Sequence, residues 1–368
     1  MTPARSGKGP DLQALLDDLR TLVEIESPSG DLAALETSAI AVRDLLEKRL
    51  GGSAEIVASP AGPHVRWSGG GTPRVLLLGH HDTVFPIGTL ARRPFTVTGE
   101  KVLGPGVFDM LGGIVQAVHG LMLLDDLTGV TFLVTSDEEV GSVHSRSLIE
   151  DAAKTAGAAL VFEGAGDGGA LKTARKGSGT FEITITGRAS HAGLEPEAGV
   201  NALVEASHQV LAIAALARPD AGTTVVPTMS SAGSASNVVP AQAKITVDVR
   251  VTSAVEKQRL EDAMAALVPH LSGAVVEVSG GVTRPPMPAS ASTGLFALAR
   301  TFDPAIRGVA VGGASDGNLT AAVGVPTLDG LGAVGGGAHA DHEFVVLDTM
   351  TQRARLTAHV VQKLLSAT

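Results

Sequence analysis

Residues 75–86 read VLLLGHHDTVFP, an apolar run that stops at two histidines and an aspartate. An apolar run that is continuous rather than alternating is typical of a strand buried on both faces. If the strand continues for two or three residues, the alternation of side chains places His80 and Asp82 on one face and His81 on the other. The sequence therefore predicts a buried strand with polar side chains at its carboxyl end.

Other segments follow the same pattern. Residues 130–135 and 160–162 form further short apolar runs, and a helical pattern covers residues 113–124, between the first run and the second. Buried strands that alternate with helices are typical of an α/β layer. In open sheets of this kind, ligands bind beyond the carboxyl ends of the strands. His80 lies at such an end.

The middle of the chain has a different pattern of apolar and polar residues. FEITIT at residues 181–186 and KITVDVRV at 244–251 alternate apolar with polar residues, which is the pattern of strands with one buried face. Helical patterns cover residues 201–217 and 254–268. These segments predict a small α+β domain in which helices cover one face of the sheet and the other face stays free.

Continuous apolar runs return after this domain, in GVAV at residues 308–311 and GVPTL at 324–328. The simplest organisation is one domain interrupted by another. We therefore predict a catalytic domain formed by residues 1–176 and 285–368, with residues 177–284 as the insert.

The length and composition of the chain limit the partners and the kinds of metal site that it can have. The chain has 368 residues, 44% of them hydrophobic, and chains of this length usually divide into two domains. With 38 acidic against 28 basic residues, the net charge of -10 argues against nucleic acid or an anionic membrane as partner. No stretch is long and apolar enough to span a bilayer, so we expect a cytoplasmic protein. Cys and Tyr are absent, so any metal site must use His, Asp and Glu.

Acids and a histidine stand at the ends of several other predicted segments. They are Asp109 in GPGVFDMLGG, Glu138 and Glu139 in SDEEVGS, Glu163 in VFEGAG and His339 in GAHADHE. Each of them alone is typical of a helix cap or a solvated turn. Strand ends of an α/β sheet, however, bring distant residues together. Two histidines and three carboxylates suffice for two divalent ions when one carboxylate bridges them.

The four acids just named are one more than this donor set needs. Glu138 is our candidate for a general base that takes a proton from water. Asp82 is a candidate partner for the second ring nitrogen of a metal-bound His80, because such an imidazole usually donates that N–H to a carboxylate. A single-zinc protease of the thermolysin type is excluded, since the chain has no HExxH sequence.

Several sequence motifs follow one another along nearly the whole chain. They are GHHDTV, GPGVFDMLGG, TSDEEVGS, FEGAGD, GRASHAG, SNVVPAQAKITVDVR, TRPP, GGASDGN and GAHADHE. In this order and spacing the sequence resembles the co-catalytic zinc aminoacylase and carboxypeptidase family, which includes bacterial glutamate carboxypeptidase, acetylornithine deacetylase and succinyl-diaminopimelate desuccinylase. The resemblance implies an α/β fold with a mixed-sheet, zinc-exopeptidase-like catalytic domain and an inserted α+β lid and dimerisation domain.

The resemblance also implies roles for the candidate residues. His80 and Glu163 would hold one zinc ion, Glu139 and His339 the other, and Asp109 would bridge the two. Glu138 would be the base and Asp82 the supporting carboxylate. Two Zn²⁺ per chain are expected, with Co²⁺ or Mn²⁺ as alternatives.

Substrate contacts are implied in the insert, at His191, Asn237 and Arg250. Arg250 lies on the polar face of its strand, where its guanidinium suits a carboxylate, although an ion pair with Asp248 is an equal alternative. His191 alone is equally typical of an ordinary loop histidine. In several relatives the corresponding histidine reaches the partner subunit's site, and we expect the same in a homodimer formed through the insert. Arg284 in TRPP is either a second carboxylate contact or a hinge residue.

Two departures from the family pattern concern specificity. A lysine often stands two positions after the bridging aspartate, where this chain has Leu111, and the segment after Glu163 is rich in glycine.

The expected activity is hydrolysis of an amide bond that releases a C-terminal amino acid from a peptide or N-acyl amino acid. Removal of an acetyl or succinyl group from an N-acyl amino acid is the alternative.

A serine hydrolase is a more distant alternative. Residues 313–317 read GASDG, the G-x-S-x-G pattern of a nucleophile elbow with Ser315 at its centre. Asp329 and His339 follow in the order of a catalytic triad. This arrangement leaves His80 and most of the acidic residues without a role. An inactive scaffold on the same fold would lack a ligand or the base, and none is missing.

Overall fold

The computed structural model describes residues 9–367, which pack into two compact units. The first unit comprises the described chain up to Ala174, the segment Pro288–Val311 and the chain from Ser315 onward. The second unit comprises Arg175–Met287 together with Gly312–Ala314. The sequence pattern alone predicted an insert at residues 177–284, without the short return segment.

The described residues form ten α-helices and sixteen strands. The helices are α1 (Leu12–Val23), α2 (Leu32–Leu50), α3 (Thr89–Arg92), α4 (Gly112–Leu121), α5 (Arg146–Thr155), α6 (Ala202–Ala214), α7 (Ala254–Ala265), α8 (Ala289–Phe302), α9 (Gly317–Ala322) and α10 (Thr349–Ser366). The strands are β1 (Ala54–Val57), β2 (His64–Ser68), β3 (Val75–His80), β4 (Thr96–Thr98), β5 (Lys101–Leu103), β6 (Val130–Thr135), β7 (Ala158–Val161), β8 (Leu171–Arg175), β9 (Gly177–Thr186), β10 (Thr224–Ala232), β11 (Gln242–Val251), β12 (Val275–Arg284), β13 (Gly308–Val311), β14 (Thr327–Leu328), β15 (Gly335–Gly336) and β16 (Phe344–Val346).

The first unit is built on a six-stranded mixed sheet with the strand order β1-β2-β6-β3-β7-β14. Strands β6, β3, β7 and β14 are parallel to one another, whereas β2 is antiparallel to both of its neighbours, β1 and β6. Side chains of β3 alternate between two hydrophobic cores. Val75 and Leu77 pack in the core that contains α1, α2, α4 and α10, and Leu76 and Leu78 pack in the core that contains α5 and α9. The continuous apolar run is therefore a strand covered by helices on both faces, as predicted.

Glycine allows a close approach at the start of α4. A Cβ atom on Gly113 would lie 2.0 Å from the carbonyl oxygen of Phe162, which follows β7. No side chain larger than hydrogen fits there without a shift of the backbone. Because Asp109 lies just before α4 and Glu163 directly follows Phe162, this packing holds the two acids near each other.

The second unit contains a four-stranded antiparallel sheet with the order β10-β11-β9-β12. Alternate residues of β9 and β11 are buried in one core with residues from α6 and α7. The residues between them, such as Glu182 and Thr246, are partly or fully exposed. The predicted strands with one buried face, and the helices that cover that face, are confirmed.

One strand departs from the prediction. GVAV forms β13, which is half exposed and pairs only with β8 in a two-stranded ribbon. A continuous apolar run predicts burial on both faces, but this strand lies outside the main sheet, and its residues are exposed or half-buried. Among residues 9–367, no helix combines the length and the apolar character needed to cross a bilayer.

Candidate metal centre

Three neighbouring parallel strands carry the central residues of the site. His80 is the last residue of β3, Glu138 and Glu139 follow the end of β6, and Glu163 follows the end of β7. Because β3 lies between β6 and β7 and runs parallel to both, the carboxyl ends of all three strands meet at one edge of the sheet. The structure thus brings these residues together where an open α/β sheet binds its ligands.

Asp109 lies between the two histidines. Its Oδ1 is 3.4 Å from His80 Nε2, and its Oδ2 is 3.2 Å from His339 Nε2. Glu163 Oε1 lies 3.6 Å from the same nitrogen of His80, and Glu139 Oε2 lies 3.0 Å from that of His339. The donors therefore form two sets that share one carboxylate.

The ring of His80 is oriented for a cation. Its side chain is 1% exposed, and Nδ1–H donates to the backbone carbonyl of Asp82 at 2.9 Å. Nε2 then faces Asp109 and Glu163, whose nearest oxygens lie 3.4 and 3.6 Å away. Within residues 9–367, this buried Nε2 has no hydrogen-bond partner, and neither does Oε1 of Glu139. A divalent ion would satisfy both atoms, so the donor set fits a metal.

The donor atoms are also close enough for shared coordination. Those of His80, Glu138 and Glu163 lie within 4.8 Å of one another, and so do those of His80, Asp109 and Glu139. Nitrogen and oxygen donors of this kind suit Zn²⁺ and related divalent ions. Glu138 belongs to one of these groups, so its position allows it to act either as a ligand or on a water next to the ions.

Electrostatics at the site favour positive charge. Burial alone would lower the pKa of His80, but the nearby carboxylates of Asp109, Asp82 and Glu163 raise it well above its usual value. The hydrogen bond with Asp109 raises the pKa of His339 to about 9. Burial raises the pKa of Glu139 to about 7. The carboxylates clustered at this edge of the sheet therefore favour positive charge beside the two histidines.

Asp82 lies beside the second ring nitrogen of His80 and also contacts the loop after β6. Its carboxylate Oδ1 is 3.4 Å from His80 Nδ1, and it is the Asp82 backbone carbonyl that accepts the ring N–H. The carboxylate accepts hydrogen bonds from Ser29 Oγ at 2.7 Å and from the backbone N–H groups of Glu138 and Glu139 at 3.2 Å each. A bend after β3 presents the carbonyl to the ring, which leaves the carboxylate for the neighbouring loop.

The loop after β6 is held at several points. Asp137 Oδ2 accepts from the backbone N–H groups of His144 at 2.8 Å and Ser145 at 3.3 Å. The backbone N–H of Ser142 donates to the carbonyl of Asp137 at 2.8 Å, and Ser142 has a positive φ of 54°. Residues 137–145 thus form a closed loop that fixes the backbone under Glu138 and Glu139.

His81 faces away from the metal donors, as the alternation along the strand predicts. Its side chain is fully buried, with Nδ1 3.0 Å from Ser38 Oγ and Nε2 3.0 Å from the carbonyl oxygen of Pro63. Burial lowers the pKa of His81 to about 4, so the ring is neutral at pH 7. His81 is part of the packing between β3 and α2.

Ser315 is not arranged as a nucleophile, and the serine hydrolase alternative is wrong. Its side chain is fully buried and its Oγ donates to Asp329 Oδ2 at 2.6 Å, whereas His339 lies at the metal donors. The neighbouring Asp316 accepts a hydrogen bond from Ser142 Oγ. The GASDG sequence therefore stabilises the loop after β6, because both of its side chains are turned into the protein.

One residue near the site was missed in the sequence. Glu343, four residues after His339, is fully buried and accepts hydrogen bonds from the backbone N–H groups of Gly106, Phe108 and Asp109. Burial raises its pKa to about 7 although these amides lower it. The GAHADHE motif contains this glutamate, but no local pattern connects it to a segment more than two hundred residues earlier.

His191 and Asn237 lie in the second unit, on two neighbouring segments. The backbone N–H of Ala192 donates to the carbonyl of Asn237 at 2.9 Å, and both His191 and Asn237 are exposed. His191 Nδ1 accepts from the backbone N–H groups of Gly193 at 3.2 Å and Leu194 at 3.1 Å. When neutral, the ring therefore carries its proton on Nε2, which is available as a donor.

Arg250 and Arg284 lie on the strands that flank β9. Both have Ser178 as their Cα partner in the sheet register, which places the three residues in one row. The guanidinium of Arg250 forms two hydrogen bonds to Asp248, at 3.1 and 2.8 Å, so the predicted alternative of an ion pair is present. Arg284 is buried.

Comparison with known proteins places the chain among peptidases. The peptidase dimerisation domain of the M20 type matches residues 173–275. The chain is 33% identical to carboxypeptidase G2 of a Pseudomonas species over 375 residues, which cover 95% of this chain and 89% of that protein. It is 31% identical to acetylornithine deacetylase of Proteus mirabilis over 214 residues, which cover 53% and 54% of the two chains.

A solved structure shares the fold. The chain superimposes on the Bacillus subtilis protein YxeP, described as a dinuclear metal binding peptidase, with a TM-score of 0.65. The superposition covers 96% of this chain and 98% of that chain at 17% identity. At this identity the similarity concerns the fold alone.

Proposed function

The chain belongs to the M20 family of metallopeptidases, and from this premise we propose that it binds two divalent ions and cleaves an amide bond next to a free carboxylate. The product would be a C-terminal amino acid released from a peptide or an N-acyl amino acid. Carboxypeptidase G2, which is similar over most of both chains, supports this choice of bond. A cytoplasmic location stays a prediction.

The position of Asp109 carries the proposal. Its two carboxylate oxygens lie 3.4 and 3.2 Å from the Nε2 atoms of His80 and His339. We propose that Asp109 would contribute one oxygen to each of two donor sets, which Glu163 and Glu139 would complete. Zinc is the ion that we propose, because two imidazoles and three carboxylates without thiolates match its known sites in hydrolases.

Glu138 is the proposed base. Bound divalent ions in such sites act as Lewis acids that acidify water and polarise a carbonyl oxygen. Glu138 would accept a proton from water as the water oxygen bonds to the carbonyl carbon, and would then give that proton to the amine nitrogen as the C–N bond breaks and the amino acid is freed. Asp82 fixes this base, because its carboxylate holds the backbone N–H of Glu138 at 3.2 Å.

His191 is the proposed donor to the substrate carbonyl. Two backbone N–H groups occupy its Nδ1, which keeps the proton on Nε2 when the ring is neutral. An N–H that points at a carbonyl oxygen stabilises the negative charge that develops there in the transition state. We propose that Asn237 assists through its amide.

Arg250 and Arg284 are the proposed contacts of the substrate carboxylate. They flank Ser178 in one row of the sheet, and guanidinium groups bind carboxylates bidentately. Arg250 already pairs with Asp248, so a substrate carboxylate would have to compete with this pair or share the guanidinium.

We also propose a homodimer formed through the second unit. Strand β10 is an edge of its sheet and packs next to α6. Both elements expose apolar side chains, among them Leu203 and Leu211 on α6, and Val226 and Met229 on β10, which lie on the sheet face that the helices leave free. We call these four residues the α6–β10 surface. An exposed apolar surface beside an open strand edge suits association with a second copy, and the matched domain type supports it.

A second candidate function is removal of an acyl group from an N-acyl amino acid. The similarity to acetylornithine deacetylase favours it, although the match covers about half of each chain. The metal donors, the base and the position of the free carboxylate would be the same in both reactions. The two candidates differ only in the group that is bound on the acyl side.

Released primary amine tests both candidates. We expect the purified chain to hydrolyse substrates in which a peptide or a larger acyl group is joined to a C-terminal glutamate. These substrates should react faster than amino acids that carry only an acetyl or succinyl group. Treatment with a chelator should abolish turnover, and added Zn²⁺ or Co²⁺ should restore it. Metal-free protein that keeps full activity would contradict the proposal, and preference for the short acyl groups would favour the second candidate.

A further inference from the structure

Glu343 is a buried carboxylate whose hydrogen bonds converge on one short segment. Its Oε1 accepts the backbone N–H of Phe108 at 2.8 Å and of Asp109 at 2.9 Å, and its Oε2 accepts that of Gly106 at 3.0 Å. Three amides on one carboxylate are strong, charge-assisted hydrogen bonds. They replace the water that a carboxylate loses on full burial.

The backbone of Glu343 is itself fixed. Its N–H donates to the carbonyl of Ala340 at 3.1 Å, and the next residue begins β16, which pairs with β5 and β15. The same chain segment carries His339 four residues earlier. Glu343 therefore ties the segment of His339 to the segment of Asp109.

We propose that Glu343 is a positioning residue of the metal centre, which directs the carboxylate of Asp109 so that one oxygen serves each ion. This inference rests on the proposed function. Glu343 would touch neither the ions nor the substrate and would act through the backbone of residues 106–109. Residues that orient metal ligands usually contribute to metal affinity, and their loss weakens it about 10- to 100-fold.

Glu343→Gln is the main test variant. Glutamine has the size of glutamate, but one oxygen becomes an NH₂ group that faces a backbone N–H, so at least one of the three hydrogen bonds is lost. The full chain is stripped of metal and titrated with Co²⁺, whose visible absorption reports both affinity and coordination geometry. We expect affinity to fall about 10- to 100-fold and the absorption spectrum to change. At saturating Co²⁺, kcat should fall while KM stays near that of the unaltered protein.

The second unit offers a matched control. Glu205 is also fully buried and also accepts backbone N–H groups, those of His270 at 3.0 Å and Leu271 at 2.7 Å. Glu205→Gln makes the same chemical change far along the chain from every metal donor. We expect it to lower thermal stability while the Co²⁺ affinity and spectrum stay unchanged.

The outcomes separate three cases. Unchanged Co²⁺ affinity and spectrum in folded Glu343→Gln protein would overturn the inference and leave the proposed function intact. Failure of the unaltered protein to bind Co²⁺ would instead defeat the proposed function. If Glu343→Gln does not fold, Glu343→Asp keeps the charge with a shorter side chain, and we expect the same loss of affinity. Failure of both variants to fold, with Glu205→Gln folded, would overturn the inference in favour of a role in folding alone.

Discussion

Asp82 Oδ1 accepts the backbone N–H of Glu138 at 3.2 Å, and the other oxygen of the same carboxylate accepts that of Glu139 at the same distance. The carboxylate at the end of β3 thus holds the loop that follows β6. His80, two residues before Asp82, uses the Asp82 backbone carbonyl for its own ring N–H. One short segment therefore orients a metal donor and also fixes the proposed base.

Asp82→Asn should reduce both turnover and metal binding. The NH₂ of asparagine would face a backbone N–H of the loop, so one of these hydrogen bonds is lost. We expect kcat and metal affinity to fall about 10- to 100-fold each. Steady-state kinetics and metal titration measure the effect. Ser29→Ala is the control, because it removes one neutral donor to Asp82 and leaves both loop contacts. A larger effect from Ser29→Ala would contradict this account.

Glu138→Gln and Glu139→Gln should separate the base from the ligand. Removing proton transfer at Glu138 should lower kcat by about 10²- to 10⁴-fold while both metals and substrate affinity remain. Glu139→Gln should instead lose one of the two metal equivalents. Elemental analysis of the purified variants gives the answer, and equal metal loss in both would show that Glu138 is also a ligand.

His80→Ala and His81→Ala should have opposite signatures. His80→Ala should lower metal content and abolish turnover, because its Nε2 lies among the donors. His81→Ala should keep its metal and lower the free energy of unfolding by about 1–3 kcal/mol, since its partners Ser38 and Pro63 are left unpaired in the core. Denaturant unfolding and metal analysis test the pair, and metal loss in folded His81→Ala would show that the ring also supports the site.

Asp18→Asn should destabilise the first unit in a pH-dependent way. Asp18 is buried and accepts hydrogen bonds from Arg49 Nε at 2.7 Å and His119 Nε2 at 2.8 Å. Burial opposes its ionisation, but these bonds outweigh it and hold the pKa of Asp18 below 3.8. Losing the charge should lower the free energy of unfolding by about 2 kcal/mol at neutral pH.

The sign of the pH dependence follows from the lowered pKa. The stabilisation by ionised Asp18 is present above the ordinary pKa of 3.8 and is lost as the pH falls through the lower folded-state value. The stability difference between the unaltered protein and Asp18→Asn should therefore shrink as the pH falls below about pH 4. Asp17→Asn on the exposed side of α1 is the control, and a difference that grows in acid would refute the assignment.

Single charges on the α6–β10 surface should produce monomers. Leu211 and Met229 are strongly exposed, so Leu211→Glu and Met229→Glu should leave the fold intact and place a charge in the proposed interface. Light scattering coupled to size exclusion measures the mass. Val255→Glu, at an exposed apolar residue of α7 outside this surface, is the control. A dimer that persists in both test variants would exclude this surface.

The family, the mixed sheet and the two kinds of strand were predictable from the sequence. The motifs and their order indicated the family and, through that resemblance, the mixed sheet. Local patterns indicated the two kinds of strand, because a continuous apolar run such as that of β3 indicates two covered faces and an alternating run such as β9 indicates one. The same alternation distinguished His80 from His81. The chemistry of the metal donors was also predictable, because a chain without cysteine leaves only His, Asp and Glu for such a site.

The tertiary structure decided which groups meet across long stretches of sequence. The carboxylate of Asp82 binds the loop of Glu138, and Glu343 binds amides near Asp109, because strand order and packing bring these backbone N–H groups within hydrogen-bond distance. Packing also turned Ser315 into the protein and left β13 half exposed, against the prediction of their local patterns. The sequence specifies the type of each side chain, but the partner of a side chain depends on which segment packs beside it. Because every residue except proline has the same backbone N–H, the sequence does not indicate which N–H a buried carboxylate will bind.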